Sequence, residues 1–130
     1  MNLQLSLKKK WFEMTKSGEK TEDYREITPY WFSRLFKDAS SNTAIRTGFC
    51  ESLKSETSAA FWNFKNGFFF DLKDFKTNTM TLGYPKKGDS ERILKLEHKG
   101  IEIRTGNPNW GAEPNKLYFV IKHGVCLNEA

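Results

Sequence analysis

Ser17-Gly18-Glu19-Lys20-Thr21-Glu22-Asp23-Tyr24-Arg25 is the stretch on which the reading of the fold turns. Just before it, Leu7, Trp11 and Met14 fall at i, i+4 and i+7, one face of a helix, while Lys8, Lys10, Glu13 and Lys16 are left for water. Gly18 then stands where such a helix stops, because glycine adopts the left-handed conformation of a helix end without steric cost. A strand starting at Thr21 sends Asp23 and Arg25 to one face, with Glu22 and Tyr24 on the other. Lys20, at the turn, leans over the Asp23 and Arg25 face. A cation, a carboxylate and a guanidinium so placed can hydrogen-bond the polar edge of a base or hold a phosphate.

Outward from that junction, Leu3, Leu5 and Leu7 alternate with polar residues, which predicts a half-buried strand. Thr28 and Pro29 predict a helix start, Thr as cap and Pro at the first helical position. Its apolar side is Tyr30, Trp31, Leu35 and Phe36, and its wet side Arg34, Lys37 and Asp38. Ile45 to Cys50 reads as a strand, and Ser52 to Ala60 as a loop or a short helix. Asn66-Gly67 is a tight-turn dipeptide between Phe61, Trp62, Phe64 and the run Phe68 to Leu72, which predicts an aromatic hairpin. Thr77 to Tyr84 reads as a strand ending at Pro85. Ile93 to Leu96 and Ile101 to Ile103 flank a turn at Lys99-Gly100. Gly106, Pro108, Gly111 and Pro114 keep Thr105 to Asn115 irregular, and Leu117 to Lys122 suits a strand covered on both faces. The sum is an α+β chain, mainly β: a small, partly open barrel of about six or seven strands with two or more short helices.

The 130 residues fit a single domain, 1–130. Net charge is +5, from 21 Lys and Arg against 16 Asp and Glu, which favours a polyanionic partner such as RNA over an acidic protein. No run approaches the ~20 apolar residues needed to span a membrane. Lys8, Lys9 and Lys10 follow the Leu-containing start, the reverse of a secretory signal, so a cytoplasmic location is expected. Cys50 and Cys126 are read as thiols. With His98 and His123 they lack zinc-ligand spacing, so neither a metal nor a cofactor is expected.

The junction resembles the ASCH signature, Gly-x-Lys-x-x-Glu-x-Arg, found where a helix hands over to a strand in a PUA-like β-barrel. Gly18, Lys20 and Arg25 match it, and Asp23 stands where the family usually has Glu. Thr81-Leu82-Gly83-Tyr84-Pro85 resembles a strand-end motif of one bacterial branch. The block from Gly106 to Pro114, leading into Tyr118 to Lys122, is similar to that branch's last loop and closing strand, and against that pattern residues 39–75 read as an enlarged insertion. The resemblance implies RNA or nucleotide binding in a cleft lined by Lys20, Asp23 and Arg25; Tyr84, at a strand end before Pro85, and Trp110, in a Gly/Pro-rich loop, are candidates to line it by their positions. Some small bacterial members hydrolyse the acetyl amide of N4-acetylcytidine with a Lys, a Thr and a Glu, and others are reported to be ribonucleases. On that correspondence Lys20 matches the lysine and Asp23 takes the position of the threonine. Glu113 lies in the region of the glutamate.

As catalysts, Asp23 would serve as base and Lys20 or Arg25 as electrostatic stabiliser, with no third member fixed. The plain alternative is a surface salt-bridge group, as most strand charges are. For Trp11, Trp31 and Trp62 the default is core packing, whereas Trp110 sits in a Gly/Pro-rich loop where packing is less automatic. Three function classes follow: an RNA- or nucleotide-binding module, a hydrolase acting on a modified nucleoside or RNA, and a protein-interaction domain using the aromatic segment 61–70. The missing threonine tilts the choice towards binding.

Overall fold

Alternation makes the first strand. In β1 (Asn2–Leu7) every second residue is buried, Leu3, Leu5 and Leu7, as the period of two requires. The computed structural model describes residues 1–37, 43–66, 72–83, 85, 86, 89 and 91–127. Over these residues the class is α+β. Five strands form one sheet in the order β1-β3-β4-β5-β2, accompanied by four helices. The chain divides into two compact units, one from residues 1–23, 74–101 and 121–130 and the other from 24–73 and 102–120.

In the first unit, β1 runs parallel to β3 (Thr77–Leu82), in register from Asn2 opposite Thr77 to Leu7 opposite Leu82. The Asn2 carboxamide oxygen accepts from the hydroxyls of Thr77 and Thr79, 2.8 Å each, and fixes that register at one end. β3 pairs antiparallel with β4 (Ile93–Thr105), Thr77 opposite Glu97. Helix α1 (Lys9–Lys16) buries Phe12 and Thr15, and leaves Trp11 and Met14 half-buried, so the apolar face is turned by one residue from the sequence expectation. Phe12 supplies the apolar bulk that the pattern built on Leu7, Trp11 and Met14 overlooked. Leu3, Leu5, Phe12, Met80, Leu94, Leu96 and Ile121 make the core of this unit.

β4 is one strand of thirteen residues, where two strands and a turn were expected. Gly100 takes φ of 115° inside it, so the glycine relieves the backbone locally without reversing the chain.

The second unit carries three helices, α2 (Pro29–Leu35), α3 (Thr43–Leu53) and α4 (Ala59–Lys65). Thr28 caps α2, its hydroxyl accepting from the Trp31 N–H at 3.3 Å, with Pro29 at the first helical position as the sequence indicates. The buried side of α2 is Phe32 and Leu35, followed by Phe36, whereas Tyr30 is 59% exposed. The expected strand at Ile45–Cys50 is helical within α3, and the first arm of the expected hairpin is α4. Ser58 caps α4 by accepting from the Phe61 N–H, and Asn66 closes it, donating its side-chain amide to the Trp62 carbonyl. A short apolar run fits either period, and here the cap decides for the helix. Residues 67–70, the second arm, lie outside the described residues.

Phe32, Phe36 and Phe49 stack, and Phe36 also meets Phe64 and Phe119, so the aromatic surplus of the sequence fills the second unit. In β5 (Leu117–Cys126), Tyr118, Phe119, Val120 and Ile121 are buried in succession, as a strand covered on both faces requires. Among the described residues the strand count falls to five, because β4 merges two segments and Ile45–Cys50 and Phe61–Phe64 are helical, while four helices meet the expectation of two or more.

Candidate functional site

The helix-to-strand junction forms as the local sequence dictates. Gly18 adopts φ of 86°, and the Lys20 N–H returns to the Met14 carbonyl at 3.0 Å. This return turns the Lys20 side chain inward at the start of β2 (Glu22–Arg25). Lys20 is 2% exposed and Asp23 4%. The ammonium donates to the Glu22 carbonyl at 2.7 Å and to Asp23 Oδ1 at 2.5 Å. Such burial separates the pair from a solvated surface salt bridge and makes each partner a requirement of the other.

The carboxylate does not stop at Lys20. Its Oδ2 accepts from Nε2 of His123 at 2.7 Å, and Nδ1 of His123 meets the amide nitrogen of Asn78 at 2.7 Å. Asn78 Oδ1 in turn meets Nδ1 of His98 at 2.8 Å. The Lys122 carbonyl sets the direction of the whole chain. A carbonyl only accepts, so the Asn78 nitrogen is the atom that faces it, at 3.2 Å. That nitrogen therefore donates to His123 Nδ1, which carries no proton, and the His123 proton sits on Nε2 toward Asp23. Asn78 Oδ1 accepts, so His98 carries its proton on Nδ1. One backbone carbonyl thus fixes both imidazole tautomers.

Burial alone would raise the Asp23 pKa. The hydrogen bond from His123 and the Lys20 charge outweigh it and hold the carboxyl at about 2. His98 is lowered from its ordinary value, chiefly by burial and to a smaller extent by the neighbouring His123 ring. Both ring nitrogens of His123 are engaged within the network, so it has no lone pair directed at a substrate proton. As it stands the cluster is a closed polar chain that locks β2, β3, β4 and β5 side chains in one arrangement.

Arg25, the last motif residue, belongs to the second unit and is half-buried. Its guanidinium carbon lies 5.0 Å from the centre of the Trp31 ring. Arg34 lies 5.2 Å from the same ring, and donates from Nη1 to the Tyr30 hydroxyl at 2.9 Å. Trp110 is half-buried at the end of a single 3-10 turn, Pro108–Trp110, closed by Gly111 at φ of 98°. The loop that holds it is anchored by Tyr24, whose hydroxyl accepts from the Asn107 N–H at 2.8 Å and whose ring tilts against Tyr118. Tyr84 lies outside the described residues.

Glu113 is exposed, with its carboxylate 3.8 Å from Lys116. The second unit also has an open cavity of about 480 Å³ lined by Glu26, Lys54, Glu56, Asn115, Lys116 and Leu117. Its cations are engaged by carboxylates, Lys116 by Glu26 at 2.7 Å and Lys54 by Glu51 at 3.0 Å. Arg25 and Trp110, of the same unit, are not among its lining residues.

Lys20 and Asp23 are brought together as the sequence suggests, but inside the protein and with His123, Asn78 and His98, which sequence reasoning passed over. One signal was present. Asn78 shares its strand face with Met80, an inward position where an amide needs partners. Cys50 is buried and Cys126 exposed, both as free thiols. Among the described residues, no group of three or more His, Cys, Asp or Glu side chains is placed to hold a metal ion, and no helix is long and apolar enough to cross a membrane. No protein-family model matches the sequence, no curated protein matches it, and no solved structure matches the fold.

Proposed function

We propose that this chain is an RNA- or nucleotide-binding domain of the ASCH kind, with a PUA-like framework, and that its activity is binding rather than hydrolysis. The observation that carries the reading is the closed state of the Lys20–Asp23–His123 cluster. The ammonium and both carboxylate oxygens are engaged internally, and both imidazole nitrogens have partners. Hydrolysis of an acylated nucleoside needs a base with a lone pair facing the substrate and a donor aimed at the developing oxyanion. A buried, satisfied cluster favours a scaffold role for Lys20 and Asp23 and leaves ligand contact to Arg25. The surplus of five positive charges supports a polyanionic ligand.

The test is incubation of the chain with N4-acetylcytidine and, separately, with a short RNA, reading products by mass and affinity by fluorescence anisotropy. Salt-sensitive binding of RNA or the nucleoside without product is expected, weakened by Arg25→Ala. Turnover that disappears in a folded Asp23→Asn variant would replace this reading with the hydrolase. Absence of both binding and turnover at low salt would point to the protein-interaction class.

A further inference from the structure

Tyr30 should have been an inward residue of α2 by its chemistry, yet it is 59% exposed. The helix buries Phe32 and Leu35, whereas Tyr30 is exposed and Trp31 and Arg34 are half-buried, so these three share a flank that reaches solvent. The two rings meet edge to face, with centroids 5.3 Å apart and planes at 84°. Arg34 lies 5.7 Å from the Tyr30 ring and 5.2 Å from the Trp31 ring, and Arg25 approaches Trp31 at 5.0 Å. Two aromatic planes and two guanidinium planes are therefore gathered within one patch of the second unit. Thr28 pins the first turn of α2, and the Arg34–Tyr30 hydrogen bond limits the motion of both side chains.

The geometry points to this patch as a stacking site for an unpaired base of single-stranded RNA, with the adjoining phosphate held by Arg25 and Arg34. The inference rests on the nucleic-acid reading above and assigns it a place and a strand type. A nucleobase presents a flat π-face that stacks on Trp or Tyr, and a guanidinium satisfies both a base plane and a phosphate oxygen. The two guanidinium charges supply complementarity to the phosphates that a purely apolar partner would not use. Duplex bases are stacked on each other and withhold their faces, so the patch selects single strands.

The experiment uses the full chain, a fluorescein-labelled single-stranded RNA octamer and the same octamer in a duplex, followed by anisotropy at several salt concentrations. Wild type should bind the single strand at least tenfold more tightly than the duplex. Tyr30→Ala should weaken binding roughly fivefold to tenfold, and Trp31→Ala roughly tenfold to a hundredfold, the range of a lost base stack. Arg34→Lys, which keeps the charge but loses the plane, should still weaken binding several-fold, and Arg34→Gln should lower the salt slope by about 0.7. Tyr30→Phe, which keeps the ring, should bind within about twofold of wild type. Circular dichroism checks the fold of each variant, and Tyr30→Ala, altering a mostly exposed residue, carries the test if Trp31→Ala does not fold.

Absence of RNA binding by wild type overturns the nucleic-acid reading itself. RNA binding that is indifferent to Tyr30→Ala and Arg34→Lys leaves that reading standing and overturns this site. Equal affinity for the duplex, or for a polyglutamate peptide of matched charge, likewise overturns it.

Discussion

Replacing Lys20 by methionine keeps most of the buried volume and removes the ammonium from a pair in which the partners are 2% and 4% exposed. The Asp23 carboxylate is then left inside the protein with His123 as its remaining named donor. Removing one member of a buried ion pair costs about 3–5 kcal/mol, because the surviving charge keeps its desolvation penalty. The retained His123 hydrogen bond places the expectation near the lower figure. A solvated pair would cost at most about 1 kcal/mol, so the two situations are well separated. Urea unfolding followed by circular dichroism and tryptophan fluorescence measures the difference. Lys20→Met combined with Asp23→Leu should recover part of the loss, since no unpaired charge remains. A Lys20→Met penalty under about 1 kcal/mol would refute the reasoning, because the pair would then behave as though water reached it.

Acidification should destabilise the protein in two stages. His98, with its pKa lowered on folding, contributes stability that is full above its ordinary value of 6.5 and fades as the pH falls below it. Asp23, at about 2 against an ordinary 3.8, contributes about 2 kcal/mol that is complete above pH ~4 and disappears as the pH falls through about 2. Urea midpoints measured between pH 2 and 8 should therefore rise with pH, and an Asp23→Asn variant should lack the lower stage. Nuclear magnetic resonance titration should place His98 below 6.5 and show its proton on Nδ1 at neutral pH; a proton on Nε2 would contradict the Asn78 orientation. Gly106→Ala should cost about 1–3 kcal/mol by thermal or urea unfolding, because the added carbon would sit 2.7 Å from both Ala112 Cβ and the Tyr24 ring. A neutral result there would mean that the loop holding Trp110 yields without loss.

Elements governed by strict local chemistry were legible in the sequence. Alternating Leu3, Leu5 and Leu7, the Gly18 stop and the Thr28–Pro29 start each have one physical solution, and each appears. Ile45 to Cys50 and the run from Phe61 to Phe64 are helical where strands were expected because their apolar runs are short, and for the second the deciding signal, the Ser58 cap, is a single hydroxyl. Lys99-Gly100 carries turn chemistry, yet the strand continues, since pairing along the whole of β4 overrides a two-residue preference. At the site, the Lys20–Asp23 contact followed from a spacing of three residues. The rest of the network joins positions 20, 45 and 100 residues apart, distances over which no local pattern speaks.

The provenance of those five side chains has a bearing on how the chain acquires its native state. Lys20 and Asp23 come from the first stretch of their unit, Asn78 and His98 from the second, and His123 from the last. During synthesis the Asp23 carboxylate waits for an imidazole made 100 residues later, and the Asn78 carboxamide for one made 45 residues later. Closure of the ring-and-amide bridge is thus a late event with a high loop-closure cost, a checkpoint passed only when residues 121–126 have docked. Loss of His123 should accordingly speed unfolding far more than it slows folding, the kinetic mark of a latch rather than a nucleus.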